Sequence, residues 1–80
     1  MSNRRKIEKA LRALGAEGAL VEFIRNRDMA YGDSWDASYW SVDFTLNDQK
    51  HHYESDLGDT VDEGVEIMLE EMQSDFAVNN

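Results

Sequence analysis

The sequence predicts a small α+β domain of order α-β-β-β-α, in which two helices pack on one face of a three-stranded antiparallel sheet. Three observations support this fold class. Apolar residues recur at helical spacing near both ends, polar and apolar residues alternate in the middle, and 80 residues suffice for one domain. This arrangement buries every apolar stripe against another element. Residues 1–80 are therefore expected to form a single domain that frays at about 1–3 and 77–80.

The first predicted element is a helix that starts near Ser2 or Asn3, either of which can cap its N-terminus. Its apolar face consists of Ile7, Ala10, Leu11 and Leu14. Gly15 follows at the position where a left-handed C-terminal cap is favoured. A basic stripe lies on a different side and is made up of Arg5, Lys9 and Arg12. The helix is thus expected to bury one face and present positive charge on another.

Alternation of polar and apolar residues predicts three strands after this helix. They cover about 19–25, 38–46 and 49–55. The inward face of the second strand consists of Trp40, Val42, Phe44 and Leu46. His51 and Tyr53 are expected to face inward from the third strand. Asn47 and Asp48 tolerate positive φ and predict a tight turn between these two strands. The connection 26–37 is expected to form a long loop.

The last predicted element is a helix over about 61–76, since Thr60 and Glu63 match a capping box. Its apolar stripe consists of Val61, Val65, Met68, Leu69, Met72 and Phe76. Gly64 lowers the helix propensity, and its presence predicts a close approach of this helix to the sheet.

This order of elements resembles that of the double-stranded-RNA-binding domain. That family holds phosphates with basic residues at the start of its second helix. Here the corresponding positions are Asp59, Asp62 and Glu63. The resemblance therefore implies the order of the elements, and duplex binding is not expected from it.

Charge is divided along the chain. Residues 1–27 carry seven Lys or Arg against three Asp or Glu, whereas residues 28–80 carry Lys50 as their one basic residue against fourteen acidic ones. The formal net charge is −9. Such asymmetry bears on partners and solubility rather than on fold. We therefore expect a basic protein as the partner, one that itself binds nucleic acid, and direct nucleic-acid binding by this chain is not favoured.

The acidic side of the second helix is the first candidate binding surface. It consists of Asp62, Glu63, Glu66, Glu70 and Glu71. At a rise of ~1.5 Å per residue these charges average one per ~3.4 Å, and a nucleic-acid strand carries one phosphate per ~3.4 Å of its axis. This spacing favours a nucleic-acid mimic. The alternative is a solvated acidic face, or adaptation to a salty cytoplasm.

The outward face of the sheet and the long loop supply further candidates. On the sheet these are Glu22, Tyr39, Asp43 and Glu54, since two helices on one face leave the other uncovered. Trp35 in the loop is a residue type that anchors interfaces. The alternatives are an ordinary solvated sheet face and a Trp35 that folds over the core. The basic stripe could touch nucleic acid, pair with a second copy, or balance the acidic surface.

The sequence favours neither an enzyme nor a metal or cofactor site. It has no cysteine, glycine-rich phosphate loop or serine elbow. His51 and His52 are adjacent on a strand and should face opposite ways, so they are not expected to chelate one metal.

The function that this sequence predicts is an acidic inhibitor of phage or mobile-element type, such as an anti-CRISPR or anti-restriction protein. It would block the basic nucleic-acid-binding groove of its target. Three alternatives stay open: an antitoxin or immunity protein that plugs a basic toxin site, a nucleic-acid binder that uses the N-terminal helix, and a self-associating structural component. No signal peptide or membrane span is recognised, so a cytoplasmic location is expected, in the host cell if the gene is a phage gene. Monomer and homodimer are both compatible with the sequence.

Overall fold

The computed structural model describes residues 2–25, 27–30, 33–36 and 38–76, the second and third of these ranges by their backbone alone. The elements are α1 (Asn3–Leu14), β1 (Glu17–Ile24), β2 (Arg27–Ala30), β3 (Asp33–Asp36), β4 (Tyr39–Leu46), β5 (Gln49–Glu54) and α2 (Val61–Asp75). Strands β1, β4 and β5 form an antiparallel sheet in the order β1-β4-β5, and β2 pairs with β3. The predicted fold class of two helices and a three-stranded antiparallel sheet is confirmed. Residues 77–80 lie outside the described part.

A short hairpin occupies the segment that was expected to be a loop. Strands β2 and β3 pair with each other in the register that also relates β1 to β4. Ile24 lies opposite Tyr39 in one ladder, and Arg27 lies opposite Asp36 in the other. The sequence expectation was wrong here because this segment lacks a clear apolar alternation, and its pairing follows the register of the neighbouring strands. The backbone of Trp35 belongs to β3, and its side chain lies outside the described residues.

The hydrophobic core lies between the sheet and both helices. Its buried members are Ile7, Leu11, Val42, Phe44, Val65, Met68 and Met72. Val21, Trp40 and Tyr53 pack against them from the sheet. Because α1, α2 and the inward residues of β4 share this core, both helices lie on one face of the sheet, as predicted.

The local signals at the first helix and at the turn are also confirmed. Ser2 Oγ accepts a hydrogen bond from the Arg5 backbone N–H at 3.3 Å, and Gly15 ends α1 with φ of 78°. Asn47 and Asp48 have φ of 53° and 66°, which are the positive values of a two-residue hairpin turn. This turn fixes the register of β4 against β5.

Gly64 allows the close approach that was expected, at the end of the sheet. A Cβ at this position would lie 2.7 Å from the Leu57 carbonyl oxygen and closer still to that of Ser55. Ser55 follows β5 directly and bonds to Trp40 of β4, whereas Leu57 belongs to the connection between β5 and α2. Thr60 caps the helix just before it, since its Oγ1 accepts from the Glu63 N–H at 3.0 Å. The start of α2 is thereby fixed against the end of β5.

Candidate functional site

The acidic residues of α2 are all exposed, but they do not form a single row. The buried side of the helix is defined by Val65, Met68 and Met72. At about 100° per residue, Glu63 and Glu70 fall opposite this side. The other acidic residues flank them to the left and right. The acidic surface is therefore a ridge with Glu63 and Glu70 at its crest.

One flank of this ridge lies beside α1. Asp62 Oδ1 accepts a hydrogen bond from Asn3 Nδ2 at 2.7 Å, and Lys6 Nζ lies 3.4 Å from Glu66 Oε1. The Glu66 side chain remains 64% exposed, so this ion pair is a weak surface contact. Its basic member is Lys6, which is not part of the basic stripe that the sequence singled out.

The other flank faces the edge of the sheet at β5. The Tyr53 hydroxyl donates a hydrogen bond to Asp75 Oδ2 at 2.7 Å. Burial, followed by this hydrogen bond, raises the pKa of Tyr53 well above its usual value of 10.0, which keeps the phenol a neutral donor. Glu71 and Asp75 line an open cleft of about 520 Å³ between β5 and α2, together with Glu54 and Asp56. Asp75 was not among the predicted site residues, although its spacing of four from Glu71 places it on the same side.

The outward face of the sheet carries a cluster of two carboxylates around a histidine. His52 Nδ1 lies 2.7 Å from Asp43 Oδ1, and His52 Nε2 lies 2.8 Å from Glu54 Oε1. The hydrogen bond to Glu54, with that to Asp43, raises the pKa of His52 above 6.5, and partial burial opposes the rise only in part. The protonated ring donates to both carboxylates. Two of the predicted docking charges, Asp43 and Glu54, are therefore partners of His52.

The remaining predicted residues of this face lie on the neighbouring positions of the sheet. Glu22 is exposed and lies opposite Ser41, which in turn lies opposite Glu54. Tyr39 is half-buried and lies opposite Ile24, at the start of β4. The register brings Glu22 and the His52 cluster to one face and places Tyr39 at one end of it. His51, by contrast, faces the core side with its ring 4.8 Å from that of Phe76.

The basic stripe of α1 forms no ion pair with any side chain that the structure describes. Arg5, Lys9 and Arg12 are exposed, and none of them lies within 4.0 Å of a carboxylate in the described part of the chain.

Arg4, which is not part of the basic stripe, contacts the sheet. Its guanidinium donates to the Val21 carbonyl at 3.2 Å and lies 5.3 Å from the centre of the Trp40 ring.

Among residues 2–25 and 38–76, no group of three or more His, Cys, Asp and Glu side chains has the arrangement of a metal site. The described helices include none with the length and hydrophobicity that crossing a bilayer requires. Comparisons with protein-family models, curated proteins and solved structures returned no match.

Proposed function

We propose that this chain is an acidic protein-binding module that occupies the basic nucleic-acid-binding groove of a target protein, as a phage or mobile-element inhibitor does. The observation that supports this proposal most is the ridge of α2. Its crest residues, Glu63 and Glu70, point away from the core, and no Lys or Arg occurs anywhere between residues 61 and 76. A basic groove offers the charges that this ridge lacks.

The ridge costs the domain stability, and a basic partner would offset this cost. Asp62 and Glu66, and again Glu66 and Glu70, are like-charge pairs at i, i+4, and each pair costs about 0.2–0.5 kcal/mol. Glu70 and Glu71 also lie in the C-terminal half of the helix, where the dipole disfavours negative charge. Lys6 offsets one of these charges, and within the described part of the chain the crest has no ion-pair partner.

The spacing of the crest supports mimicry of a strand rather than of a single phosphate. Glu63 and Glu70 are seven residues apart, or ~10.5 Å along the helix at ~1.5 Å per residue. Three phosphate steps of a nucleic-acid strand rise ~10 Å along the helix axis. The two crest carboxylates therefore reproduce the axial rise of such a stretch, and Glu66 adds a charge between them.

The test is affinity capture of partners from the source cell with three baits: the wild-type protein, Glu70→Lys and the matched control Glu17→Lys. Both variants change the charge by the same amount, and Glu17 is an exposed residue of β1. We expect wild type and Glu17→Lys to retain one basic nucleic-acid-binding protein that salt releases, and Glu70→Lys to lose it. Equal retention by Glu70→Lys would exclude the ridge as the contact.

A second candidate function is favoured by the exposed cations of α1. Arg5, Lys9 and Arg12 project from one exposed side without ion-pair partners among the described residues. An acidic partner for them is either nucleic acid or the ridge of a second copy. Titration with duplex and single-stranded nucleic acid at two salt concentrations separates these cases, since phosphate contacts give a steep salt dependence.

An antitoxin or immunity protein would bind through the ridge as the proposed inhibitor does, and only the identity of its partner would differ.

A further inference from the structure

The two edges of the sheet are protected differently. At the β1 edge, Gly18 has φ of 57° and the register shifts between Glu17 and Leu20, which marks a bulge. The carbonyl of Val21 on the same strand accepts a hydrogen bond from the Arg4 guanidinium. Strand β5, at the other edge, has six residues in unbroken register with β4. Within the described residues, no side chain bonds to its outer backbone, so β5 is the open edge.

The turn determines which backbone groups of β5 point outward. Because Asn47 and Asp48 form a two-residue turn, the pair that flanks it exchanges backbone hydrogen bonds, and every second pair after it does so too. The hydrogen bond from Ser55 N–H to the Trp40 carbonyl, 2.9 Å long, continues this alternation. The residues that direct their N–H and C=O groups to the open edge are Lys50, His52 and Glu54.

The surroundings of this edge determine the charge of what binds there. Glu54, Asp56, Glu71 and Asp75 line the cleft of about 520 Å³ that runs between β5 and α2. Apart from its two histidines, β5 has one basic residue, Lys50. Lys50 lies at the end of β5 next to the turn, and Glu54 lies at the opposite end. An extended segment laid along β5 would thus place its side chains beside carboxylates over the half of the strand that ends at Glu54.

The geometry points to β-strand addition at β5: an extended, arginine- or lysine-rich segment of the partner pairs with Lys50, His52 and Glu54 and becomes a fourth strand of the sheet. Its side chains alternate between the outer face, where Glu54 lies at the end of β5, and the cleft, where Glu71 and Asp75 lie. This inference rests on the proposed function for the basic character of the partner, and it adds a main-chain contact that the ridge does not provide.

The first test uses two synthetic peptides with blocked ends, each of about seven residues with alternating arginine and valine, a length that matches one strand. The second peptide carries methyl groups on the backbone nitrogens that would pair with β5. We expect the first to slow amide exchange at Lys50, His52 and Glu54, and the methylated one to bind roughly ten-fold more weakly. Equal binding of both peptides, or no protection at these three amides, would overturn strand addition.

The second test compares Lys50→Pro with the matched control Lys50→Thr. Both remove the same charge, but only proline removes an N–H that points to the open edge, and edge positions tolerate proline. We expect Lys50→Thr to bind the unmethylated peptide at least as well as wild type, and Lys50→Pro to bind it roughly ten-fold more weakly. Equal affinity of two folded variants would contradict the proposal. If Lys50→Pro does not fold, the peptide pair on the wild-type protein decides alone.

These outcomes are separable from those for the ridge. Glu70 lies at the crest of α2, away from the cleft, so Glu70→Lys is expected to bind the peptide within about two-fold of wild type while it loses the captured partner. If Glu70→Lys loses the partner but the peptide does not slow amide exchange at β5, strand addition is wrong and the ridge is still supported. If the peptide slows amide exchange at β5 and Glu70→Lys captures the partner as well as wild type, the ridge is wrong and strand addition is still supported.

Discussion

His52 changes the charge of the surface on which it lies. Between the carboxylates of Asp43 and Glu54, its protonated ring offsets one of two negative charges on the outer sheet face. A sequence count that treats histidine as neutral overlooks this offset. The net charge of this face therefore depends on the pH near neutrality.

We predict that His52 titrates above 6.5 in the folded protein, as measured by NMR of the imidazole, and that Asp43→Asn with Glu54→Gln brings its pKa back toward 6.5. A pKa that is higher in the folded state stabilises the protein fully below the unfolded value, and this contribution is lost as the pH rises through the folded value. The free energy of unfolding of wild type relative to His52→Gln should thus be larger near about pH 6 than near about pH 9. Identical differences at the two pH values would disprove the role of the ring.

Gly64 offers a sharp test of the packing at the start of α2. Alanine favours helix by about 1 kcal/mol over glycine, yet Gly64→Ala should destabilise the protein by about 1–3 kcal/mol, because its methyl group would meet the Ser55 and Leu57 carbonyls. Chemical denaturation measures this change. Ser74→Ala, at an exposed position of the same helix, is the control and should be neutral or slightly stabilising. A Gly64→Ala variant as stable as wild type would contradict the close approach.

Single residues also show what the sequence could and could not predict. The caps at Ser2, Gly15 and Thr60 and the turn at Asn47 depend on a few adjacent residues, so local chemistry was enough to predict them. The Asp43–His52–Glu54 cluster was missed because it depends on the register between two strands. That register follows from the turn, and counting back from Asn47 would have placed Asp43 opposite His52.

The repulsion between like charges on α2 lowers the stability of the domain, and this effect can be measured without a partner. Glu70→Lys replaces the repulsion with Glu66 by a favourable i, i+4 pair of the better orientation and places positive charge in the C-terminal half. We predict an increase of about 0.5 kcal/mol in the free energy of unfolding. A decrease would mean that Glu70 has a stabilising contact and that its charge is not kept for binding.

A hydrogen bond near the end of the helix also joins α2 to β5. Removal of the hydroxyl in Tyr53→Phe should cost about 0.5–1.5 kcal/mol, since the acceptor Asp75 is charged but partly hydrated. A double-mutant cycle with Asp75→Asn measures the coupling between the two side chains by chemical denaturation. Additive effects, with no coupling, would show that the bond contributes nothing in solution.

The sequence predicts both helices and the three strands of the main sheet, but not the two strands of the β2–β3 hairpin. Both helices and β4 bury apolar residues, and Val21 of β1 and Tyr53 of β5 pack against this core, so periodicity reveals these elements. The β2–β3 hairpin has no such signal between residues 26 and 37. Similarly, the division of the α2 carboxylates between two flanks depends on where α1 and β5 lie, which periodicity alone does not give.

The folded domain keeps its basic and acidic residues apart in space as well as in sequence. The basic side of α1 and the acidic ridge of α2 belong to neighbouring helices, which meet at the contacts Asn3–Asp62 and Lys6–Glu66. Beyond this seam the acidic surface continues over the ridge to the cleft at β5. A charge distribution of this kind speeds the encounter with a basic partner and orients it.

The most direct test of nucleic-acid mimicry is a displacement titration. The captured partner is first bound to its labelled nucleic acid, and this protein is then added while the bound label is measured. We predict that wild type and Glu17→Lys release the nucleic acid in proportion to the amount added, and that Glu70→Lys releases far less. A stable ternary complex, in which the partner holds the nucleic acid and this protein together, would contradict the account.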